Sequence, residues 1–244
     1  MNGKSAKKFE GKHAGETMII VGGAPSIAEM DMSVFEETPS ISCNCILRHG
    51  GFLPTYLVFS DRRPYIREME EGRVQWFAEK APVFLSETIF DPAIRCANTP
   101  VQDKPDFTWY SWRVGTARTA FNWNTFAAPL CSFATTGGQI LQMAVMMGAK
   151  RIGLVGLDMY KSPKESDLHF YKNETSGPLD VAKATIHDDG RIGPQASMDC
   201  FAKAKLALDK MGVEVVNISP WTHTPMANIF GSYDYERFAE ESRA

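Results

Sequence analysis

The residues best suited to chemistry stand directly after short apolar runs. Met18-Ile19-Ile20-Val21 is followed by Gly22-Gly23-Ala24-Pro25-Ser26. A strand, a tight glycine turn and Ser26 as N-cap of a following helix would gather backbone N–H groups at a positive dipole end. That arrangement suits a phosphate. The pattern is neither G-x-G-x-x-G nor a Walker A loop, because no Gly-Lys-Ser/Thr follows. Asn44 ends the run Ser40-Ile41-Ser42-Cys43, and Asp61 follows Tyr56-Leu57-Val58-Phe59 within Ser60-Asp61-Arg62-Arg63-Pro64. Thr135-Thr136-Gly137-Gly138 opens an apolar stretch reaching Met147, so a helix there would offer hydroxyls and glycine N–H groups to a second anion. Ile152-Gly153-Leu154-Val155 ends in Gly156-Leu157-Asp158-Met159-Tyr160, which places a carboxylate and a phenol at a strand end. His187 lies with His169, Tyr171, Asp188 and Asp189 in a polar, turn-rich stretch.

These residues need strands to bring their ends together. Apolar runs predict strands at Met18–Val21, Ser40–Cys43, Tyr56–Phe59, Pro82–Leu85, Ile152–Val155 and Val213–Asn217. Helical spacing predicts helices from Ser26 to about Glu37, Pro64 to Lys80, Thr136 to Met147 and Ser197 to Met211. Strands alternating with helices predict an α/β, Rossmann-like fold: a mostly parallel sheet with helices on both faces. In such sheets ligands meet the carboxyl ends of the strands. Residues 18–230 read as one nucleotide-binding domain, with an irregular, aromatic-rich insertion at 86–132 and a lid at 161–191. Residues 1–17 read as a mobile N-terminal arm and 231–244 as a C-terminal tail.

Composition narrows the partners. The chain has 244 residues, 44% hydrophobic and 23% charged, with net charge −3. That balance argues against a dedicated nucleic-acid binder, which carries a basic face. Cys43, Cys45, Cys96, Cys131 and Cys200 are scattered and form no C-x-x-C, so buried free thiols in a cytoplasmic protein are expected, with no metal site. No apolar stretch is long enough to span a bilayer, and the polar start carries no signal-peptide core.

Taken in order, Ile19–Ser26, Ser42–Asn44, Thr135–Gly138 with Gly148-Ala149, and Gly156–Tyr160 resemble the bacterial sialyltransferases that use CMP-sialic acid. They also resemble the wider superfamily holding the 6-hydroxymethylpterin pyrophosphokinase-like proteins. Ser219-Pro220 with Asn228 is a weaker match. The resemblance implies that Gly22, Gly23, Pro25 and Ser26 lie against phosphate or ribose, and that Asn44 meets the nucleotide sugar or its phosphate. It implies that Thr136 and Gly137 reach the phosphate or base, that Gly156 and Asp158 border the nucleoside, and that Tyr160 donates to a leaving phosphate. Asp61 falls where those enzymes carry a nucleotide-contacting asparagine. The family's basic histidine is absent: Ile192-Gly193 is followed by Pro194 and Gln195. His187 could supply a base from the lid, since a base needs hydrogen-bond reach and a pKa near working pH.

The leading expectation is a nucleotide-sugar-dependent glycosyltransferase. It would use a CMP-type donor and a small-molecule or glycan acceptor, with His187, Asp61 and Tyr160 as catalytic candidates and no tightly bound cofactor. One alternative is a phosphotransferase acting on a pterin-like heterocycle, with Asp61 and Asp158 holding Mg²⁺ between ATP phosphates. Another is a non-catalytic nucleotide-binding module. Related enzymes often form homo-oligomers.

Overall fold

The computed structural model describes residues 4–90, 107–113, 121–133, 135–159, 170 and 194–243. The sheet strands are β1 (Lys4–Ser5), β2 (Thr17–Val21), β3 (Ser40–Cys43), β4 (Tyr56–Phe59), β5 (Val83–Ser86), β6 (Thr108–Tyr110), β9 (Arg151–Val155) and β10 (Glu214–Asn217). They form one eight-stranded sheet in the order β1-β6-β5-β4-β3-β2-β9-β10. Every ladder among the described residues of this sheet is parallel. A small parallel ladder joins β7 (Trp112–Arg113) to β8 (Leu130–Cys131).

From β2 the chain steps outward through β3, β4, β5 and β6, then returns to add β9 and β10 on the other side of β2. The order therefore reverses between β2 and β9, which makes that gap the switch point of a doubly wound sheet. Alternate strand residues feed two cores. Met18, Ile20, Tyr56, Val58 and Leu154 pack with α3 (Thr136–Met146), α4 (Pro194–Lys210) and α5 (Pro225–Phe230). Ile19, Val21, Leu57, Phe59 and Val155 pack with α1 (Arg62–Glu70), α2 (Arg73–Ala78) and α6 (Tyr235–Ser242). Strands apolar on both faces are what a parallel sheet between helix layers requires. The expected Rossmann-like α/β fold is thus present.

Local departures each have a physical cause. The helix expected after the first glycine turn is two 3₁₀ segments, Pro25–Glu29 and Met32–Phe35. Ala24 stands at the first cap position without a side-chain bond, while Asp31 caps the second segment. The helix expected at Pro64–Lys80 breaks between α1 and α2 at Gly72, whose φ is +73°. The aromatic insertion is less irregular than expected, since β6 joins the main sheet beside β5.

The expected mobile arm is, over its described residues, packed in place. Phe9 is buried against Tyr56 and Phe84, with ring centroids 5.6 and 4.8 Å away. Gly11, His13 and Gly15 donate backbone N–H bonds to Met146, Met147 and Gly148 carbonyls. These lie at the end of α3, where helical carbonyls lack intrahelical partners. The C-terminal tail likewise contributes α6, capped by Asp234, whose carboxylate accepts from Arg237 N at 2.8 Å. Phe238 and Ala239 at adjacent positions of α6 are fully buried. No helix among the described residues is long and apolar enough to cross a membrane.

Phe238 meets the sheet where Gly153 leaves room, since a Cβ there would lie 2.9 Å from the ring. Phe238→Ala is expected to cost about 3–5 kcal/mol of stability, measured by urea unfolding. A loss within about 0.5 kcal/mol, the usual scale of surface substitutions, would show that α6 is peripheral to the fold.

Candidate functional site

The β2 and β9 turns come together backbone to backbone. Gly22 N donates to Val155 O at 2.8 Å and Ala24 N to Gly156 O at 2.9 Å. A Cβ on Gly22 would lie 2.2 Å from Gly156 O, so only glycine fits. Gly156 has φ +62°, and a Cβ on it would lie 2.8 Å from Gly22 O. Leu157 wedges behind this contact: its Cδ2 would meet a Cβ on Gly22 at 2.5 Å and one on Gly137 at 2.8 Å.

A cavity of about 280 Å³ opens above these turns, small for a ligand pocket (~300–1,000 Å³). Its walls come from the ends of β2, β3, β4 and β9 and the start of α3. Of the residues expected at a site, Gly22, Gly23, Pro25, Asn44, Asp61, Thr136, Gly137, Gly156 and Asp158 line it. Ser26 does not. It is fully buried, and its hydroxyl donates to Asp158 Oδ1 at 2.6 Å while its N–H donates to Asp158 Oδ2 at 3.2 Å. Ser219 Oγ lies 3.3 Å from Ser26 Oγ and accepts from Gly156 N. The expected Ser26 cap is therefore a tertiary clasp on the β9 turn. Tyr160, His187 and the lid at 161–191, Phe170 excepted, lie outside the described residues.

The expected phosphate cradle at the first turn also changes. Two of its amides, Gly22 and Ala24, already bond to the end of β9, and no α-helix follows. The start of α3 is different. Thr135 caps it, accepting from Gly138 N at 3.0 Å. Helix geometry leaves the first-turn N–H groups of Thr136 and Gly137 without intrahelical acceptors, and both residues line the cavity. Thr136 Oγ1 is hydrogen-bonded to Ser60 Oγ, which fixes its rotamer.

Strain collects around the same cavity. Among the described residues, the non-glycine residues with positive φ are Asn44 (56°), Phe133 (48°) and Met159 (51°). They follow β3, β8 and β9, and Asn44 and Met159 line the cavity. Such conformations cost on the order of 1–3 kcal/mol each and persist where the surroundings impose them. Asn44 carries a second cost, because its Oδ1 is buried without a hydrogen-bond partner.

Asp61 occupies the N-cap position of α1 yet makes no capping bond. Asp61 is an exposed residue on the cavity wall, where the surrounding protein displaces part of the water around its carboxyl. Burial raises its pKa, opposed by Arg63. Burial also raises Asp158, opposed by the Ser26 and Ser219 hydrogen bonds. Cys43, another lining residue, is pushed up to about 12 by burial and then by Asp61 and Cys45, so it is a neutral thiol. Tyr110 donates to Gln139 Oε1 at 2.7 Å, and burial, Asp61 and Cys43 hold its pKa well above the ordinary value. No Lys or Arg is among the described lining residues. No cluster of three or more His, Cys, Asp or Glu suited to a metal occurs among the described residues.

Sequence reasoning passed over Leu157 as a wedge and Cys43 and Ala24 as wall residues. Their apolar character carries no signal separating them from core. Ser60, Tyr110 and Gln139 were equally silent, since their roles arise from contacts far apart in the chain. No family model, curated protein or solved structure matches the chain.

The raised pKa values have a measurable consequence. The folded chain binds these carboxyl protons more tightly than the unfolded chain, so stability from them is full below the unfolded value and lost as pH rises through the raised folded value. Asp61→Asn is expected to raise Tm at neutral pH, with the gain shrinking as pH falls toward the ordinary carboxylate value of 3.8. A lower Tm at neutral pH would mean that a favourable partner holds the Asp61 carboxylate.

Proposed function

We propose that the protein is a nucleotide-sugar-dependent transferase that holds its donor in the switch-point cavity. The observation that carries this reading is Asn44: a residue on left-handed backbone with an unpartnered side-chain acceptor, in the wall of a cavity at the carboxyl edge of the sheet. A buried acceptor left unmade costs about 1–3 kcal/mol, and a ligand donor would remove that cost. The hydroxyls and amino groups of a nucleoside or its sugar are such donors. The phosphate belongs at the start of α3, against the Thr136 and Gly137 N–H groups and the positive end of the helix dipole.

On this reading Tyr160, next in the chain after the cavity residue Met159, protonates or hydrogen-bonds the leaving phosphate. His187 or Asp61 removes the acceptor hydroxyl proton as the sugar's anomeric carbon is attacked and its bond to phosphate breaks. The raised pKa of Asp61 suits that task better than an ordinary carboxylate value would. A CMP-type donor remains favoured by the sequence resemblance.

The second reading is the Mg²⁺-dependent phosphotransferase. Two carboxylates in a cavity wall whose described residues include no lysine or arginine support it, because a cation would relieve both. Against it, both oxygens of Asp158 already accept from Ser26.

Thermal shift with CMP, UMP and ATP, each with and without Mg²⁺, separates the readings. A cytidine or uridine nucleotide at a hundredfold excess over its Kd should add about 2.7 kcal/mol without metal. Stabilisation by ATP only with Mg²⁺ selects the second reading, and no response to any nucleotide overturns both. Asn44→Gly removes the amide without adding backbone strain. It should leave the ligand-free Tm unchanged or higher and abolish the nucleotide response.

A further inference from the structure

Asn44 opens a 3₁₀ turn, Asn44–His49, that does little to define itself. Cys43 at its cap makes no side-chain bond, Cys45 departs from helical geometry (φ −85°, ψ 25°), and the turn ends at Gly50 with φ +72°. What ties it down lies outside it. At one side His49 Nε2 is 3.4 Å from Ile27 O, beyond the first glycine turn. At the other, Arg48 Nε donates to Glu68 Oε1 at 2.7 Å, on α1.

Glu68 is fully buried. Arg73 of α2 holds its other side, donating from Nε to Oε2 and from Nη2 to Oε1 at 3.2 Å. The exposed Glu71 bridges the same two arginines, accepting from Arg48 Nη2 at 2.6 Å and Arg73 Nη2 at 2.5 Å. A buried ion pair of this kind contributes less to stability than well-packed apolar residues of the same volume often do. Its rigid forked geometry instead fixes where the attached backbone lies.

We infer that Glu68 is a positioning residue: through Arg48 it holds the turn Asn44–His49 so that Asn44 keeps its left-handed backbone and presents its amide to the cavity. The inference rests on the proposed nucleotide site only for its functional consequence. Burial alone would raise the Glu68 pKa, but the Arg73 and Arg48 hydrogen bonds outweigh it and keep the carboxylate ionised. The clamp is therefore intact at neutral pH. Glu71, sharing the arginines but open to solvent, adds little to it.

The test uses Arg48→Lys, which keeps the charge and loses the fork, with Glu68→Gln as the second variant and Glu71→Gln as control. The side-chain amide resonance of Asn44, assigned by its disappearance in Asn44→Gly, is followed in ligand-free protein, and CMP affinity is measured by calorimetry. Arg48→Lys and Glu68→Gln should shift that resonance and weaken CMP by about tenfold or more, with Glu71→Gln within about twofold of wild type. In an Asn44→Gly background, Arg48→Lys should cause no further loss. An unmoved resonance in a folded Arg48→Lys protein overturns the positioning role, whatever happens to Tm. A wild-type protein that binds none of the nucleotides overturns the proposed function instead, and the resonance still decides the clamp.

Discussion

The close approach of Gly22 to Gly156 is the contact on which the site depends. With a Cβ at Gly22 landing 2.2 Å from Gly156 O, any side chain there would push the β2 and β9 turns apart. Held together, the turns share two backbone hydrogen bonds across the point where the strand order reverses. That closure spends the first turn's amides on the fold. It also brings Asp158 under Ser26 and sets Leu157 against Gly137 at the start of α3. The glycines thus build the cavity floor by letting backbones touch, and the free cavity-facing amides shift to the start of the neighbouring helix.

That helix is placed from its other end. α3 is buried along its whole length, and its final carbonyls accept from Gly11, His13 and Gly15. The N-terminal segment is locked in turn by Phe9 between Tyr56 and Phe84, and by His13, whose Nε2 lies 2.7 Å from Tyr56 Oη. A segment far from the cleft therefore sets the axial position of the amides that line it. Rigid support of this kind is what a binding group needs if it is to be pre-organised before ligand arrives.

Much of this was legible in residue order. Apolar runs of parallel-sheet type marked β2, β3, β4, β5, β9 and β10, though not β6, and the polar residues just past three of them, Asn44, Asp61 and Asp158, do line one cavity. What escaped was tertiary. Ser26 has the type and place of an N-cap, but a buried carboxylate across the sheet outcompetes the local backbone for its hydroxyl. Gly72 was read through because helical spacing continues on both sides of it, while its positive φ ends α1. The C-terminal helix carried a readable signal, Asp234 as cap and Tyr235, Phe238 and Ala239 at helical spacing, yet its short charged sequence resembles a solvated tail. Phe9 stands alone among lysines, so nothing local announces that it is core.

The energetics of the cavity point the same way as its geometry. Asn44 and Met159 are strained, the Asn44 oxygen is unpaired, and Asp61 and Asp158 are carboxylates pushed toward protonation by burial. Each feature lowers the stability of the empty protein, and each lies on a wall of the same small space. Away from the cavity buried polar groups divide: Glu68 has two arginines and Gln142 bonds to Cys131, Gly138 and Asn122, whereas the Ser42 hydroxyl and the Asn217 amide are buried without a partner. At the cavity a left-handed Asn44 backbone, an unmade acceptor and two carboxylates raised by burial share one surface, where a bound molecule would complete the interactions. A nucleotide could do so from both ends, its phosphate taking the α3 amides and its hydroxyl or amino donors taking Asn44 and Asp61. On the proposed reading the acidic wall would act as a selectivity device. An anion lacking donor groups would meet two carboxylates and gain nothing from Asn44, so inorganic phosphate should compete poorly for a space that its charge alone would suit.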